Sequence, residues 1–309
     1  MKPKVIGIGE VLWDLLPSGK QLGGAPANFA YHARALGADA WILSRVGEDS
    51  DGLEIIHRLQ QLGVSTKGLE IDPAAPTGTV SVEVAPDGQP RFTIHENVAW
   101  DRLAGEENAR RLVAQADAVC FGTLAQRSER SRAAIQKLVS SSRQDALRIL
   151  DVNLRQHFFS RDVLEQSLTL ANVTKVNEAE LPQVADFFGI GGNGATQLAE
   201  LAHRFQLKAA ACTRGGNGSI LISHGRVSEH PGVSTRVVDT VGAGDAFTAA
   251  MTLGLLAGWE LDVINERANR LAAFVASCAG ATPLLPSELR AAFASNESRD
   301  ISSTSSQKS

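Results

Sequence analysis

Short apolar runs alternate along the chain with longer stretches in which apolar residues recur every three or four positions. Lys4 to Gly9 (Lys-Val-Ile-Gly-Ile-Gly) has the look of a buried parallel strand running on toward Asp14. Ala40 to Val46, Ala118 to Phe121, Leu147 to Val152, Val173 to Val176 and Lys208 to Thr213 share that pattern. Helical periods lie between them. One runs through Phe29, Ala30, Ala33 and Leu36 to a stop at Gly37, and another from Gly52 to Gly63. Others cover Ser128 to Ser142, Asp162 to Ala171 and Ala195 to Phe205, and two final helices cover Ala243 to Gly258 and Val263 to Ala279. This strand-helix alternation predicts a doubly wound, mostly parallel sheet.

The rhythm breaks between Thr77 and His95. Residues 79–84 and 91–95 alternate with a period of two around the turn Pro86-Asp87-Gly88-Gln89, which predicts a β-hairpin. An antiparallel insertion in a parallel fold suggests a lid over the strand ends, formed by about 77–98 with the polar segment 15–22. Ser219 to Ser223 and Val227 to His230 predict a second small hairpin. The expectation is one α/β domain over 1–294, followed by a serine-rich, disordered tail at 295–309.

Composition narrows the function classes. The 309 residues are 43% hydrophobic and 21% charged, as in an ordinary globular protein. A net charge of −4 without a long basic run argues against nucleic acid or an anionic membrane as partner. Cys120, Cys212 and Cys278 are widely spaced, so reduced thiols are expected rather than disulfides or zinc. Neither a signal peptide nor an apolar run of membrane-spanning length is evident, and a cytoplasmic protein is the working expectation.

The chemistry gathers just past the predicted strand ends, where parallel sheets collect their ligands. The motifs are Asp14, Gly23 to Asn28, Asp151-Val152-Asn153-Leu154-Arg155, Lys175 to Glu180, Thr213 to Gly218 and Gly242 to Asp245. Gly242-Ala243-Gly244 opens a helix, so its N–H groups offer an anion site. Asp245 would repel a phosphate, yet it suits the acceptance of a proton from a group attacking that phosphate. The helix dipole should keep Asp245 ionised at neutral pH. Gly7 and Gly9 lack the third glycine and the helix of a dinucleotide fingerprint. No P-loop occurs, and no His-Arg-Asp or Asp-Phe-Gly set.

On these motifs the chain resembles the ribokinase-like (PfkB) sugar kinases, from near its start to about Pro286. Gly23-Gly24-Ala25-Pro26-Ala27-Asn28, with Gly37 and Gly47, matches the first family signature, and Asp239 to Thr252 the second. Asp151-x-Asn153-x-Arg155 resembles the fructokinase and ketodeoxygluconate kinase branch, and Phe121 to Ala125 and Glu96 to Asp101 are similar to bacterial fructokinases in particular. The resemblance implies a three-layer α/β/α sandwich with a small β lid, which in relatives often doubles as a homodimer clasp. It implies ATP and Mg2+, and transfer of the γ-phosphate to a sugar hydroxyl.

Roles follow position by position. Asp245 is the base, and the backbone of Gly242, Ala243 and Gly244 the anion hole. Asp14, Gly23, Gly24 and Asn28 hold sugar hydroxyls, with Arg155 over sugar and phosphate. Asn177 and Glu180 position magnesium, in part through water. Asn177, Thr213, Gly215, Gly218, Gly244 and Asn269 serve the nucleotide. A monovalent cation, K+, at Asp239 and Val241 stays open, because Leu284 stands where ribokinases carry a hydroxyl. Ala125 stands where ribokinase carries a glutamate, which turns the reading away from ribose, and the fructokinase-like motifs imply D-fructose. The alternatives are a 2-keto-3-deoxygluconate or other small-polyol kinase, and an inactive sugar-binding relative.

Other polar residues carry plainer expectations. His95, His157 and His230 lack metal-ligand spacing, Trp100 suits packing, and Glu48, Asp49 and Asp51 suit a solvated loop.

Overall fold

The first strand, β1 (Lys4–Ile8), ends at Gly9, whose φ of 145° turns the chain out of the sheet. β2 (Leu12–Leu16) and β3 (Gly19–Gly23) then form a hairpin that leads into helix α1 (Ala25–Ala35). The expectation that the first strand runs to Asp14 is therefore corrected. Asp14 lies in the middle of β2, opposite Gln21 and Val80, in a separate small sheet. β4 (Asp39–Gly47), α2 (Ser50–Gln61) and β5 (Ser65–Asp72) complete the first winding. β6 (Gly78–Val84) and β7 (Pro90–Ile94) form the expected insertion.

The second winding alternates again. It comprises α3 (Glu107–Val113), β8 (Ala118–Phe121), α4 (Glu129–Ser140), β9 (Leu147–Asp151), α5 (Arg161–Leu170) and β10 (Val173–Asn177). α6 (Glu180–Phe187), α7 (Gly194–Arg204), β11 (Ala209–Thr213), β12 (Ser219–Ser223) and β13 (Arg226–His230) follow. α8 (Ala243–Leu256), α9 (Leu261–Ala276) and α10 (Ser287–Ala294) close the chain. This computed structural model describes residues 2–17, 19–84 and 90–294, with backbone only at 82–84, 90 and 91. The expected turn at 86–89 and tail at 295–309 lie outside the described residues.

The large sheet has the order β13-β12-β11-β10-β9-β8-β1-β4-β5. From β11 to β5 every pairing is parallel, and β12 and β13 add an antiparallel edge. The winding reverses beside β1: β4 and β5 lie on one side of it, and β8 begins the other. That reversal opens a crevice between the ends of β1 and β8. The small sheet, β3-β2-β6-β7, holds both segments expected for a lid.

Side chains alternate across the strands, so each face of the large sheet has its own core. Val5, Ala118, Cys120 and Ile149 face Phe29, Ile55, Phe247 and Leu271, from α1, α2, α8 and α9. Ile6, Val119, Phe121 and Leu150 face Val113, Ile135, Leu164, Leu181 and Leu198, from α3 to α7. Three layers result. Every residue of α8 from Asp245 to Gly254 is buried, which accounts for its nearly uniform apolar sequence.

Small residues set the closest approach. A Cβ at Gly7 would lie 2.2 Å from the Pro26 carbonyl oxygen, so glycine there lets the start of α1 press against β1. The edge strand β5 has no counterpart in the apolar pattern. Its sequence Ser-Thr-Lys-Gly-Leu-Glu-Ile-Asp is largely polar because only one neighbour covers it.

Candidate active site

Gly242 takes a left-handed conformation (φ 79°) and caps α8 without a side-chain bond, packed against Ala281. The N–H groups of Gly244 and Asp245 have no carbonyl one turn back within the helix. The Ala243 N–H already donates to the Thr240 carbonyl at 3.3 Å. Asp245 is 8% exposed, and its Oδ2 accepts a 2.8 Å hydrogen bond from Asn28 Nδ2 on α1. Burial, then the Asp151 carboxylate, push its carboxyl up to about 6, against Asn28, Lys175 and Arg155. Asp245 therefore remains mostly ionised at neutral pH, but burial and the Asp151 charge make it a stronger base than an ordinary aspartate.

A buried ion pair lies below this loop. Lys175 Nζ is 3.1 Å from Asp151 Oδ1, and both side chains are almost fully enclosed. Thr248 Oγ1 donates to Asp151 Oδ2 at 2.7 Å, which fastens β9 to α8. A Cβ at Gly244 would come 3.0 Å from Lys175 Nζ, so glycine leaves the ammonium room directly under the helix start. Burial disfavours the Lys175 charge, but Asp151, Glu180 and Asp245 outweigh it and the net shift is upward.

On the small-sheet side, Asp14 Oδ2 sits against Gly23, where a Cβ would come within 2.3 Å. Burial raises the Asp14 carboxyl to about 6, with Arg155 opposing and Asp239 adding to the shift. Gly24 (φ 106°) approaches the Glu10 carbonyl so closely that a Cβ would lie 2.5 Å away. Asn28 is 3% exposed, and its Oδ1 is buried without a partner. Asp14, Gly23, Gly24, Asn28, Arg155 and Asp245 thus converge from β2, β3, α1, the β9 loop and α8.

On the other side, Asn177 and Glu180 bond to each other's backbone. Asn177 Oδ1 accepts from Glu180 N, and Glu180 Oε2 from Asn177 N, both at 2.9 Å. Glu180 Oε1 accepts from Leu154 N at 3.0 Å. Burial pushes the Glu180 carboxyl up, with Lys175 opposing. Gly215 (φ 54°) and Gly218 (φ 80°) shape the turn after Thr213. Asn269 lies deeper, its Nδ2 donating to Ser219 Oγ at 2.7 Å. The Asp239 carboxylate accepts from Val241 N at 3.0 Å and Gly280 N at 3.1 Å. Val241 itself is exposed. Among the described residues no group of three or more His, Cys, Asp or Glu is placed to hold a metal ion.

A sequence profile described as pfkB family carbohydrate kinase matches residues 18–288. The chain belongs to this family. It is a carbohydrate kinase. A fructokinase of Klebsiella pneumoniae is 32% identical over 268 residues, 83% of this chain and 86% of that protein. Among solved structures, an uncharacterised sugar kinase from Pyrococcus horikoshii in complex with ATP has a TM-score of 0.79 at 29% identity. That match covers 93% of this chain and 99% of the other. A fructokinase with bound ATP from Xylella fastidiosa is 20% identical, with a TM-score of 0.84 over 95% of this chain and 99% of its own, a likeness of fold.

Sequence reasoning missed three residues of the kinase's centre. Lys175 was legible only as part of a strand-end motif, and Thr248 as one of many small residues on α8. Glu10 is the third: it is 5% exposed, and burial raises its carboxyl to about 7. Its Oε1 accepts from Ala25 N at 3.3 Å, taking the place of the side-chain cap that α1 lacks. An acidic residue inside an apolar strand-turn region was the available signal.

Several plainer expectations meet the structure directly. Cys120 and Cys212 are buried free thiols and Cys278 is a free thiol, half-buried. Trp100 is 1% exposed and in the core. Asp49 departs from the solvated-loop expectation. It caps α2 through Gly52 N and also binds Thr77, tying the β4 loop to the start of β6. No helix among the described residues is long and apolar enough to cross a membrane.

Proposed function

We propose that this kinase transfers the γ-phosphate of ATP to a hydroxyl of D-fructose, forming fructose 6-phosphate and ADP. The observation that carries the reading is Asp245 itself: a buried carboxylate of raised pKa in the first turn of a helix, beside N–H groups with no partner within the helix. The fructokinase relative, at 32% identity, supports the choice of sugar. Asp14, Gly23, Gly24, Asn28 and Arg155 are assigned to the sugar. Thr213, Gly215 and Gly218 are assigned to the nucleotide phosphates, and Asn269 to the wall nearest the base.

Phosphoryl transfer depends chiefly on positioning and charge stabilisation. Asp245 accepts the proton of the attacking hydroxyl, whose oxygen bonds the γ-phosphorus. The bond from that phosphorus to the β–γ bridging oxygen breaks, and ADP leaves. The Gly242–Gly244 backbone and the helix dipole stabilise the charge on the transferring group. Ala243 N contributes only as its long bond to Thr240 loosens. Lys175 adds a fixed positive charge under Gly244, held in place by Asp151. The small sheet closes over the sugar and keeps water from the phosphate.

Carboxylates outnumber cations across this centre: Asp14, Asp151, Glu180 and Asp245, with Glu10 near 7 and so only partly ionised, act on one another and on Lys175 and Arg155. Such a balance repels the phosphates of ATP unless a divalent cation accompanies them. Glu180 and Asn177 offer hard oxygens already accepting backbone N–H groups, which suits Mg2+ held through water and phosphate. Magnesium would supply neutralisation of the phosphate charge.

Coupled ADP release with fructose, ribose, 2-keto-3-deoxygluconate and a nucleoside, under identical conditions, tests the substrate. A dominant kcat/KM for a sugar other than fructose would overturn that choice. Asp245→Asn is expected to lower kcat by about 10²- to 10⁴-fold, the usual worth of a general base, with sugar binding retained. Near-full turnover in that variant would remove Asp245 as the base.

A further inference from the structure

At the reversal of the winding, between the ends of β1 and β8, lies a recess that adjoins Arg155 and Asp151 and whose Glu10 and Asn153 have no role in substrate binding so far. Glu10, Cys120, Thr123, Asp151, Asn153 and Arg155 line it. Its free space is about 10 Å³, room for a single oxygen-sized group. Arg155 is exposed, so the recess reaches the surface beside the sugar residues. Two of its lining residues carry buried polar atoms without a hydrogen-bond partner: Glu10 Oε2 and Asn153 Nδ2. Leaving such atoms unpaired is costly, so a group that bonds them is favoured in the recess. Asn153 takes the left-handed region, with φ 43°, which asparagine adopts readily.

The chemistry of the two atoms selects the occupant. Glu10 Oε2 accepts and Asn153 Nδ2 donates. A cation would meet the amide hydrogens, and an anion would meet the carboxylate. A carbonyl oxygen has no hydrogen for the carboxylate. A hydroxyl offers both functions, a proton for Glu10 and a lone pair for the Asn153 amide. It remains suitable if Glu10 is protonated, since it also accepts. This versatility matters because burial brings Glu10 to about 7, with Arg155 opposing and Asp245 adding to the shift.

The geometry points to Glu10 and Asn153 as a specificity subsite that receives one non-reacting hydroxyl of the sugar. This deepens the proposed function and rests on it. Glu10 meanwhile holds the first N–H of α1 through Oε1. One side chain therefore joins the recognition of this hydroxyl to the placement of the helix that carries Asn28.

The test crosses two variants with a set of deoxy sugars. Glu10→Gln keeps an oxygen for Ala25 N but puts an amide where Oε2 stands. Asn153→Gly keeps the left-handed backbone and removes the side chain. The wild type and both variants are assayed with fructose and with its 1-, 3- and 4-deoxy analogues, at saturating MgATP. If the wild type prefers another sugar, the deoxy series of that sugar is used. Wild-type preference thus reports on the proposed function, and the variant-by-analogue interaction reports on the subsite.

The expected result singles out one analogue. Wild type loses about 10- to 100-fold in kcat/KM when that hydroxyl is missing, in line with an unpaired charge-assisted bond. Each variant loses a similar factor on the intact sugar but less than about threefold on that analogue, with KM for ATP unchanged. Equal losses on every sugar, intact or deoxy, would overturn the subsite and leave the recess holding a structural water. So would folded variants, checked by thermal melting, that match wild type throughout.

Discussion

Asn28 offers the sharpest handle on the base proposed for this kinase, because one hydrogen bond holds Asp245 toward its ionised form. Asn28 Nδ2 donates to Asp245 Oδ2 at 2.8 Å in a buried site, and the Asp245 carboxyl stands at about 6. A hydrogen bond to a charged group is worth about 1.5–3 kcal/mol. At 1.36 kcal/mol per pKa unit, its loss in Asn28→Ala raises the Asp245 carboxyl by about 1–2 units. The sign follows from the form it favours: the bond stabilises the anion, so removing it favours the proton. The acid limb of kcat/KM against pH should move from about 6 to about 7–8. At pH 7 the ionised fraction would fall from about nine-tenths to between about a half and a tenth. Coupled ADP release from pH 5 to 9 at saturating MgATP measures this. The rate still missing on the alkaline plateau reports the sugar contact separately. A folded variant whose acid limb stays at about 6 would refute the argument that Asn28 tunes the base.

Three further outcomes follow from the same geometry. Asp245→Asn should raise Tm by a few degrees at pH 8 but not near pH 3. The native carboxyl titrates at about 6, above the ordinary 3.8, so stability is present below 3.8 and lost as pH rises through 6; an unchanged Tm difference across that range would refute it. Lys175→Met leaves Asp151 buried without its partner, and urea unfolding should show a loss of about 3–5 kcal/mol. Gly24→Ala places a Cβ 2.5 Å from the Glu10 carbonyl at φ 106°, so a destabilisation of about 1–3 kcal/mol and a raised sugar KM are expected.

Much of the site was legible because its residues sit just after strands that the apolar pattern marks clearly. Asp151, Asn177, Thr213 and the Gly242 loop all stand where the alternation predicts a strand or helix terminus. Asp14 was legible as a chemical group but not as to its place. The break at Gly9 is a backbone angle, and a single glycine does not announce it. The strands β2 and β5 escaped notice because a strand at an edge, or in a small sheet with one face open, carries a weak apolar signal. Lys175 lay inside a strand reading as buried, where a lysine is ordinarily unwelcome. Its reason for being there is a carboxylate on the neighbouring strand, in register with it.

By itself, the sequence determined the period of each element, the alternation that makes a doubly wound sheet, and the residue types waiting at the strand ends. These are local properties, set within a few residues by side-chain sterics and apolar spacing. Only the tertiary structure decided which charges share an enclosure. Asn28 and Asp245 are 217 residues apart in the chain and meet at hydrogen-bond distance. Whether Asp245 acts as an ordinary carboxylate or as a base near 6 depends on how much water its neighbours remove, and on which of them are charged. The same holds for Glu10, whose open oxygen becomes a binding feature only once the ends of β1 and β8 lie side by side.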